Sequence, residues 1–170
     1  MPLTPKTARS RFSIERNYAA SLEECWALWT TRAGIESWWG PEGFDVTVIA
    51  LDLRPGGQMV YRMTAVASEQ VAFMRGAGMP LSTETRLTYT EVFAPHRLAY
   101  KTLADFVPGV APYEVATLVE LQPTRAGVQL TLSFDAMHDD VWTGRARAGH
   151  DSQMRKLDAL LAARAGTVRS

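Results

Sequence analysis

Apolar residues recur with a helical period near the C-terminus, over residues 139–164. The stripe consists of Ala146, His150, Met154, Leu157 and Leu161. Intervals of three and four residues place these side chains on one face of an α-helix, while charged residues fall mostly on the other faces. Because propensity alone rarely stabilises a long amphipathic helix, the pattern predicts a large apolar partner surface in the rest of the chain.

Segments upstream alternate apolar and polar residues with the period of a β-strand. They predict strands at residues 11–19, 44–53, 84–93, 97–103, 113–122 and 127–134, and a returning strand that completes a hairpin over 44–66. Turn sequences such as RPGG at 54–57 separate neighbouring strands. Short connections between consecutive strands predict an antiparallel meander, which would supply the surface for the C-terminal helix.

Two short helices are predicted between the first two strands. Ser21 and Glu24 form a capping-box pattern at the start of the first helix, and the Gly-Pro pair at 40–41 ends the second. Trp38 and Trp39 are adjacent, so on a helix one of them would be exposed or would cover a loop. The pair is interpreted either as a plug at a cavity mouth or as plain core filling.

Residues 67–83 form the least regular interior stretch and contain the sequence GAGMP. They are interpreted as a long loop or weak strand with an apolar underside formed by Val71, Phe73 and Met74. Long loops in compact domains are often functional, but a simple hairpin end fits the same residues.

Length and composition indicate one domain, at residues 11–165, with tails at 1–10 and 166–170. Eighteen basic and eighteen acidic residues give a formal net charge of zero, so neither nucleic acid nor a membrane is an expected partner. The chain has no apolar run of the roughly 20 residues that span a bilayer, and no secretory signal follows its basic N-terminus. Cys25 is the single cysteine, which suits the cytoplasm, and it is interpreted as a small core residue. An exposed edge strand near Arg11 would suit either a monomer or a homodimer.

Four strings and the order of the elements carry a resemblance to a known family. The strings are LWTTRAGIESWWGP at 28–41, LDLRPGGQMVYRM at 51–63, EVFAPHRLAYK at 91–101 and AGHDSQMRKLDALLA at 148–162. They resemble the START/Bet v 1-like (SRPBCC) superfamily and, within it, the Hsp90-ATPase-activator-homologue-like domains. The resemblance implies an α+β helix-grip fold, in which a curved antiparallel sheet of six or seven strands wraps around the long C-terminal helix and two short helices follow the first strand. It also implies an apolar cavity between sheet and helix, in a superfamily whose members bind lipids, sterols, polyketides and plant hormones.

Inward positions of the strands and of the helix stripe supply the expected lining of that cavity. The candidate ligand-binding residues are Trp26, Trp38, Phe44, Val46, Met59, Tyr61, Met63, Leu87, Tyr89, Tyr100, Phe106, Tyr113, Val115, Phe134, His150, Met154 and Leu157. His150 follows Gly149 at a position where many members carry an aromatic residue. One interpretation is that His150 is a hydrogen-bonding or general acid–base group in the pocket. The other is that it is a partly solvent-exposed histidine at the edge of the helix.

His150 and Glu91 are the best candidates for catalysis. Glu91 and Glu120 lie inside strands between apolar residues; turned inward, either carboxyl would orient a polar group of a ligand. Strand alternation favours the opposite reading, in which both are outward and solvated. No GxSxG, Walker, HExxH or CxxC motif occurs, and neither a metal nor a cofactor is predicted.

The leading prediction for function is binding of a small hydrophobic molecule in the cavity. The first alternative is a cyclase, hydratase or lyase that uses the same cavity, because some members of the superfamily are cyclases or hydratases. The second alternative is a co-chaperone or other protein-interaction module, by analogy with Hsp90 activation.

Overall fold

The computed structural model describes residues 10–105 and 107–167 of the chain. In chain order its elements are β1 (Arg11–Tyr18), α1 (Leu22–Thr30), α2 (Arg32–Glu36), β2 (Phe44–Leu51), β3 (Gln58–Ala65), α3 (Ser68–Gly76), β4 (Ser82–Phe93), β5 (Arg97–Ala104), β6 (Tyr113–Thr124), β7 (Gly127–Asp135) and α4 (Asp140–Thr167). The strands form one antiparallel sheet in the order β1-β7-β6-β5-β4-β3-β2, with β1 and β2 at its edges. The predicted α+β helix-grip fold, with two short helices after the first strand, is confirmed.

The strand register places alternate residues of each strand on the face that turns toward α4, which we call the inner face. Leu87 pairs with Met59 on one side, and Tyr89 pairs with Tyr100 on the other. These four side chains are at most 4% exposed. The alternation seen in the sequence therefore identifies the side of the sheet that carries the core.

The C-terminal half of α4 packs on this face. Met154, Leu157 and Leu161 are 0%, 1% and 5% exposed, which confirms the stripe predicted from the sequence. Arg16 on β1 is ion-paired with Asp158 at 3.1 Å, and a second pair joins it to Asp151 at 3.2 Å. Apolar burial holds this half of the helix against the sheet, and the two ion pairs join α4 to the edge strand β1.

The two short helices close one end of the fold. Ser21 Oγ accepts a hydrogen bond from the backbone N–H of Glu24 at 3.0 Å, so the first predicted cap is confirmed. Because α2 ends at Glu36, Trp38 and Trp39 lie in the turn that follows the helix. Both are buried, with 1% and 5% exposure, so the first of the two alternatives, in which one of them is exposed, is wrong.

Residues 68–76 form a helix, so the prediction of a loop or weak strand across 67–83 is wrong. Val71 and Met74 are three residues apart, and Met74 is 9% exposed because it faces the core. Phe73, which was expected on the apolar underside, is 69% exposed. The glycines that suggested a loop only end the helix, at Gly76.

Several boundaries differ from the predicted ones. β6 continues through Thr124 into the predicted turn, where it pairs with Gly127. α4 continues through Thr167, past the predicted end of the helix and into the predicted C-terminal tail. The predicted N-terminal tail lies outside the described residues except at position 10. None of the helices described is both long and apolar enough to cross a membrane.

Candidate functional site

The N-terminal half of α4 borders a cavity of about 240 Å³. Its walls are Ala146, Gly149, His150 and Gln153 on α4, facing Trp39, Gly40, Pro41, Tyr61 and Met63. A Cβ atom at Gly149 would meet nothing within 4 Å, so this part of the helix presents little bulk to the space beside it. The cavity therefore begins where the large residues of the α4 stripe give way to small ones.

A larger cavity of about 750 Å³ lies where β4 and β5 separate, a place we call the sheet gap. The described ladder between these strands ends at the pair Leu87–Thr102. Beyond it, residues 82–86 pair with β3, whereas Leu103 and Ala104 pair with β6. The sheet gap is lined by Gln58, Met63, Thr83, Glu84, Thr85, Arg86, Thr88, Lys101, Thr102, Leu103, Asp105 and Glu114. Met63 borders both cavities, which therefore adjoin one another.

His150 supplies an uncharged polar group to the smaller cavity. Its ring stacks on Phe134, with the ring centroids 4.2 Å apart and the planes inclined by 30°. Burial lowers the pKa of His150 to about 4, because desolvation disfavours the imidazolium. At neutral pH the ring is therefore neutral and offers one hydrogen-bond donor and one acceptor.

The tyrosines of the inner face also remain uncharged at neutral pH. Burial raises the pKa of Tyr61, and a hydrogen bond with the Trp39 side chain opposes this only in part. Burial likewise raises the pKa of Tyr89, to about 12, and that of Tyr100. The rings of Trp39 and Tyr61 meet edge to face with centroids 6.2 Å apart, so an aromatic pair forms one wall of the smaller cavity.

The loop that carries Trp39 is held against α4 by a partly buried cation and an exposed ion pair. Lys156 Nζ donates hydrogen bonds to the carbonyl oxygens of Trp39, at 3.2 Å, and Phe44, at 3.0 Å. Burial lowers the pKa of Lys156, an effect that nearby carboxylates oppose. Arg155 Nη2 lies 2.8 Å from a carboxylate oxygen of Glu42 in the same loop. These contacts fix the wall of the cavity relative to the helix.

The structure does not bring Glu91 to His150, which corrects its choice as a catalytic partner. Glu91 forms an ion pair with Arg97 at 2.8 Å, and Glu120 lies 3.6 Å from the same guanidinium. The two carboxylate side chains are 44% and 47% exposed. Glu120 alternates with the buried inner-face residues on either side of it, so this cluster lies on the outer face of the sheet.

The structure divides the predicted lining residues into three groups. Tyr61, Met63 and His150 border the cavities. Nine others are packed in the core with at most 6% exposure: Trp38, Val46, Met59, Leu87, Tyr89, Tyr100, Phe134, Met154 and Leu157. Trp26, Phe44, Tyr113 and Val115 are partly exposed, and Phe106 lies outside the described residues.

The predicted lining omitted Trp39, Gln153 and the three inner-face threonines that border the cavities. Thr83 and Thr85 continue the inner-face alternation of Leu87 and Tyr89 toward the start of β4, which was the signal that would have found them. Thr102 is found in the same way, because it pairs with Leu87. Within the described ranges, no three or more His, Cys, Asp and Glu residues group in a way that could hold a metal ion.

Comparison with solved structures shows the same fold in several bacterial proteins. The AHSA1 protein from Silicibacter pomeroyi is 24% identical, with a TM-score of 0.70 over 91% of this chain and 99% of the other. A protein from Chromobacterium violaceum is 21% identical, with a TM-score of 0.70 over 89% of this chain and 96% of the other. A protein from Nitrosomonas europaea is also 21% identical, with a TM-score of 0.68 over 95% of this chain and 99% of the other.

No curated protein sequence matches the chain. The family model described as "Activator of Hsp90 ATPase homolog 1-like protein" matches residues 19–162. This match runs from the end of β1 to the buried stripe of α4 and includes both cavities. The chain therefore belongs to the Activator of Hsp90 ATPase homolog 1-like family.

Proposed function

We propose that this protein binds a small, largely apolar molecule between the inner face of the sheet and the N-terminal half of α4. The observation that carries the proposal is the pair of adjoining cavities that meet at Met63. Ligand pockets commonly measure roughly 300–1,000 Å³, and the larger cavity, at about 750 Å³, falls within that range. The smaller cavity alone, at about 240 Å³, would hold only part of such a ligand.

The composition of the walls supports binding of an apolar molecule. Trp39, Tyr61 and Met63 give the smaller cavity an aromatic and thioether surface, while His150 and Gln153 supply a few polar groups. This mixture of apolar area and sparse polar groups is typical of small-molecule sites. An enzyme would need a second titratable group near His150. Glu91 lies on the other face of the sheet, and Tyr61, which borders the same cavity, keeps its proton at neutral pH because burial raises its pKa.

A thermal-shift screen with hydrophobic compounds tests the proposal. The panel contains sterols, fatty acids, flavonoids and polyketides, because these classes differ in shape and in the number of polar groups. A ligand at a hundred times its dissociation constant stabilises the folded protein by about 2.7 kcal/mol. We expect a chemically coherent group of compounds to raise the melting temperature.

A pair of alanine variants locates the binding site. Ala146 borders the smaller cavity, whereas Ala148 is exposed on another side of the same helix. Ala146→Phe should fill the cavity and abolish the ligand-induced shift, while Ala148→Phe should retain it. A shift that survives in Ala146→Phe, or no shift with any compound, would contradict the proposal. A co-chaperone would instead stimulate the ATPase activity of Hsp90 without any ligand.

A further inference from the structure

Two threonine hydroxyls on the inner face line the sheet gap. Thr85 pairs with Tyr61 and Thr102 pairs with Leu87, so strand alternation turns both side chains toward the inner face. Both residues line the sheet gap and are partly exposed. Neither hydroxyl is hydrogen-bonded to another described residue, so both remain available to a ligand.

The inner walls of the two cavities carry hydroxyl, imidazole and amide groups rather than charges. Of the described residues that line the smaller cavity, none is charged, because His150 is neutral there. Most charged residues of the sheet gap lie on its outer side, where Lys101 and Glu114 form an ion pair at 3.1 Å, and the remaining one, Asp105, is an anion. Glu84 and Arg86, which also line it, approach each other to 3.8 Å. An anion that moved inward would lose hydration without gaining a cation.

Edges of β4 and β5 add further neutral polar groups to this region. Where the ladder stops beyond Leu87–Thr102, the two strands no longer bond to each other. The backbone N–H and C=O groups on an unpaired strand edge point into the space beside it. The sheet gap therefore combines side-chain hydroxyls with backbone donors and acceptors, next to an apolar wall.

We propose that the ligand is an uncharged amphipathic molecule whose apolar ring system packs on Trp39, Tyr61 and Met63 while its hydroxyl or carbonyl groups bond Thr85, Thr102 and His150. This inference rests on the proposed function and narrows its ligand class. Hydroxylated polycyclic and phenolic compounds have the required chemistry. Fatty-acid anions, which carry a charged head on a chain without hydroxyl groups, do not.

Three probes with one skeleton test the chemical class by isothermal titration calorimetry. They are flavanone, 4′-hydroxyflavanone and the 4′-carboxylate analogue, which present an apolar, a neutral polar and an anionic group. One additional hydrogen bond corresponds to an affinity gain of roughly 2- to 12-fold. We expect 4′-hydroxyflavanone to bind more tightly than flavanone by a factor in that range, and the carboxylate to bind at least about tenfold more weakly than either, because its charge must be desolvated.

Threonine-to-valine variants connect this preference to the sheet gap. Valine keeps the shape and strand propensity of threonine but removes the hydroxyl. The Thr85→Val/Thr102→Val double variant should bind flavanone and 4′-hydroxyflavanone with similar affinity, and so lose the preference for the hydroxylated probe. Thr47→Val is the matched control, because Thr47 is exposed on β2 and pairs with Arg62 on the outer face. The control should keep the preference.

Each other outcome has a separate meaning. If the carboxylate binds as tightly as the hydroxylated probe, or if the double variant keeps the preference, the inference about ligand class is wrong while the proposed function stands. If none of the three probes binds and the wider hydrophobic panel also gives no thermal shift, the proposed function fails, and this inference fails with it.

Discussion

Protonation of His150 should destabilise the folded protein as the pH falls below neutrality. The pKa of this side chain drops from 6.5 in the unfolded chain to about 4 in the fold, because burial disfavours the charged ring. The unfolded state therefore binds the proton more tightly than the folded state. Stability is complete above pH 6.5 and is lost progressively as the pH falls from 6.5 toward 4.

The size of this effect follows from the two pKa values. Integration of the linkage relation between pH 7 and pH 5 gives a loss of about 2 kcal/mol from this single histidine. The figure is an upper bound, because the ring keeps some contact with solvent and water partly screens its charge. Carboxylates elsewhere in the chain also titrate near pH 5, so only a comparison with a variant isolates the histidine.

His150→Phe provides that comparison. Phenylalanine keeps an aromatic ring against Phe134 but cannot bind a proton. Urea unfolding at pH 7 and pH 5 should show that the variant loses less stability than the wild type, by up to about 2 kcal/mol. His96→Asn serves as the control, because His96 is exposed in a turn. Between pH 7 and pH 5 this variant should lose as much unfolding free energy as the wild type. If His150→Phe and the wild type lose equal stability between the two pH values, His150 is not held neutral by burial.

Three further predictions follow from individual contacts. Burial raises the pKa of Cys25 to about 11, so the thiol should not react with Ellman's reagent at pH 8 until urea unfolds the protein. Lys156→Met removes two hydrogen bonds from an ammonium group to backbone carbonyls, and it should lower the free energy of unfolding by about 1.5–3 kcal/mol. Lys101→Met breaks only an exposed ion pair and should change the free energy of unfolding by less than about 1 kcal/mol. Urea denaturation measures both variants. Met154→Ala empties a fully buried position and should cost about 2–5 kcal/mol, measured by urea unfolding.

The fold could be predicted because the apolar pattern of each long strand and of α4 repeats several times along the element. A strand with one buried face has a period of two, so Met59, Leu87 and Tyr100 show which side of the sheet carries the core before any pairing is known. The stripe that includes Met154 and Leu157 shows in the same way which face of α4 is buried. Both patterns extend over several turns or residues, so an error at one position does not change the conclusion.

Short elements and strand ends were predicted less well, because each depends on a few residues whose local preferences compete with the packing of the whole fold. Helix α3 is nine residues long, and the glycine-rich sequence that ends it hid the spacing of Val71 and Met74. Trp38 and Trp39 were assigned to a helix that stops two residues earlier. That shift places Trp39, rather than the predicted Trp38, at the wall of the cavity.

The sheet gap could not be predicted from periodicity. Alternation identifies which residues of a strand share a face, but not where two neighbouring strands cease to pair. The separation of β4 from β5 after Leu87–Thr102 depends on the paths of both strands in the folded sheet. Predicted inward residues such as Leu87 therefore pack in the core, while Thr85, two positions away on the same face, borders a cavity.

The position of the cavity follows from a change of residue size along α4. Met154 and Leu157 fill the space above the sheet toward the C-terminus of the helix, and both are at most 1% exposed. Toward its N-terminus, the residues that line the cavity include Ala146 and Gly149, which are too small to reach the sheet. His150 lies at this boundary, stacked on the sheet by one face of its ring yet still bordering the cavity. A single amphipathic helix therefore packs on the sheet with one half and borders a cavity with the other.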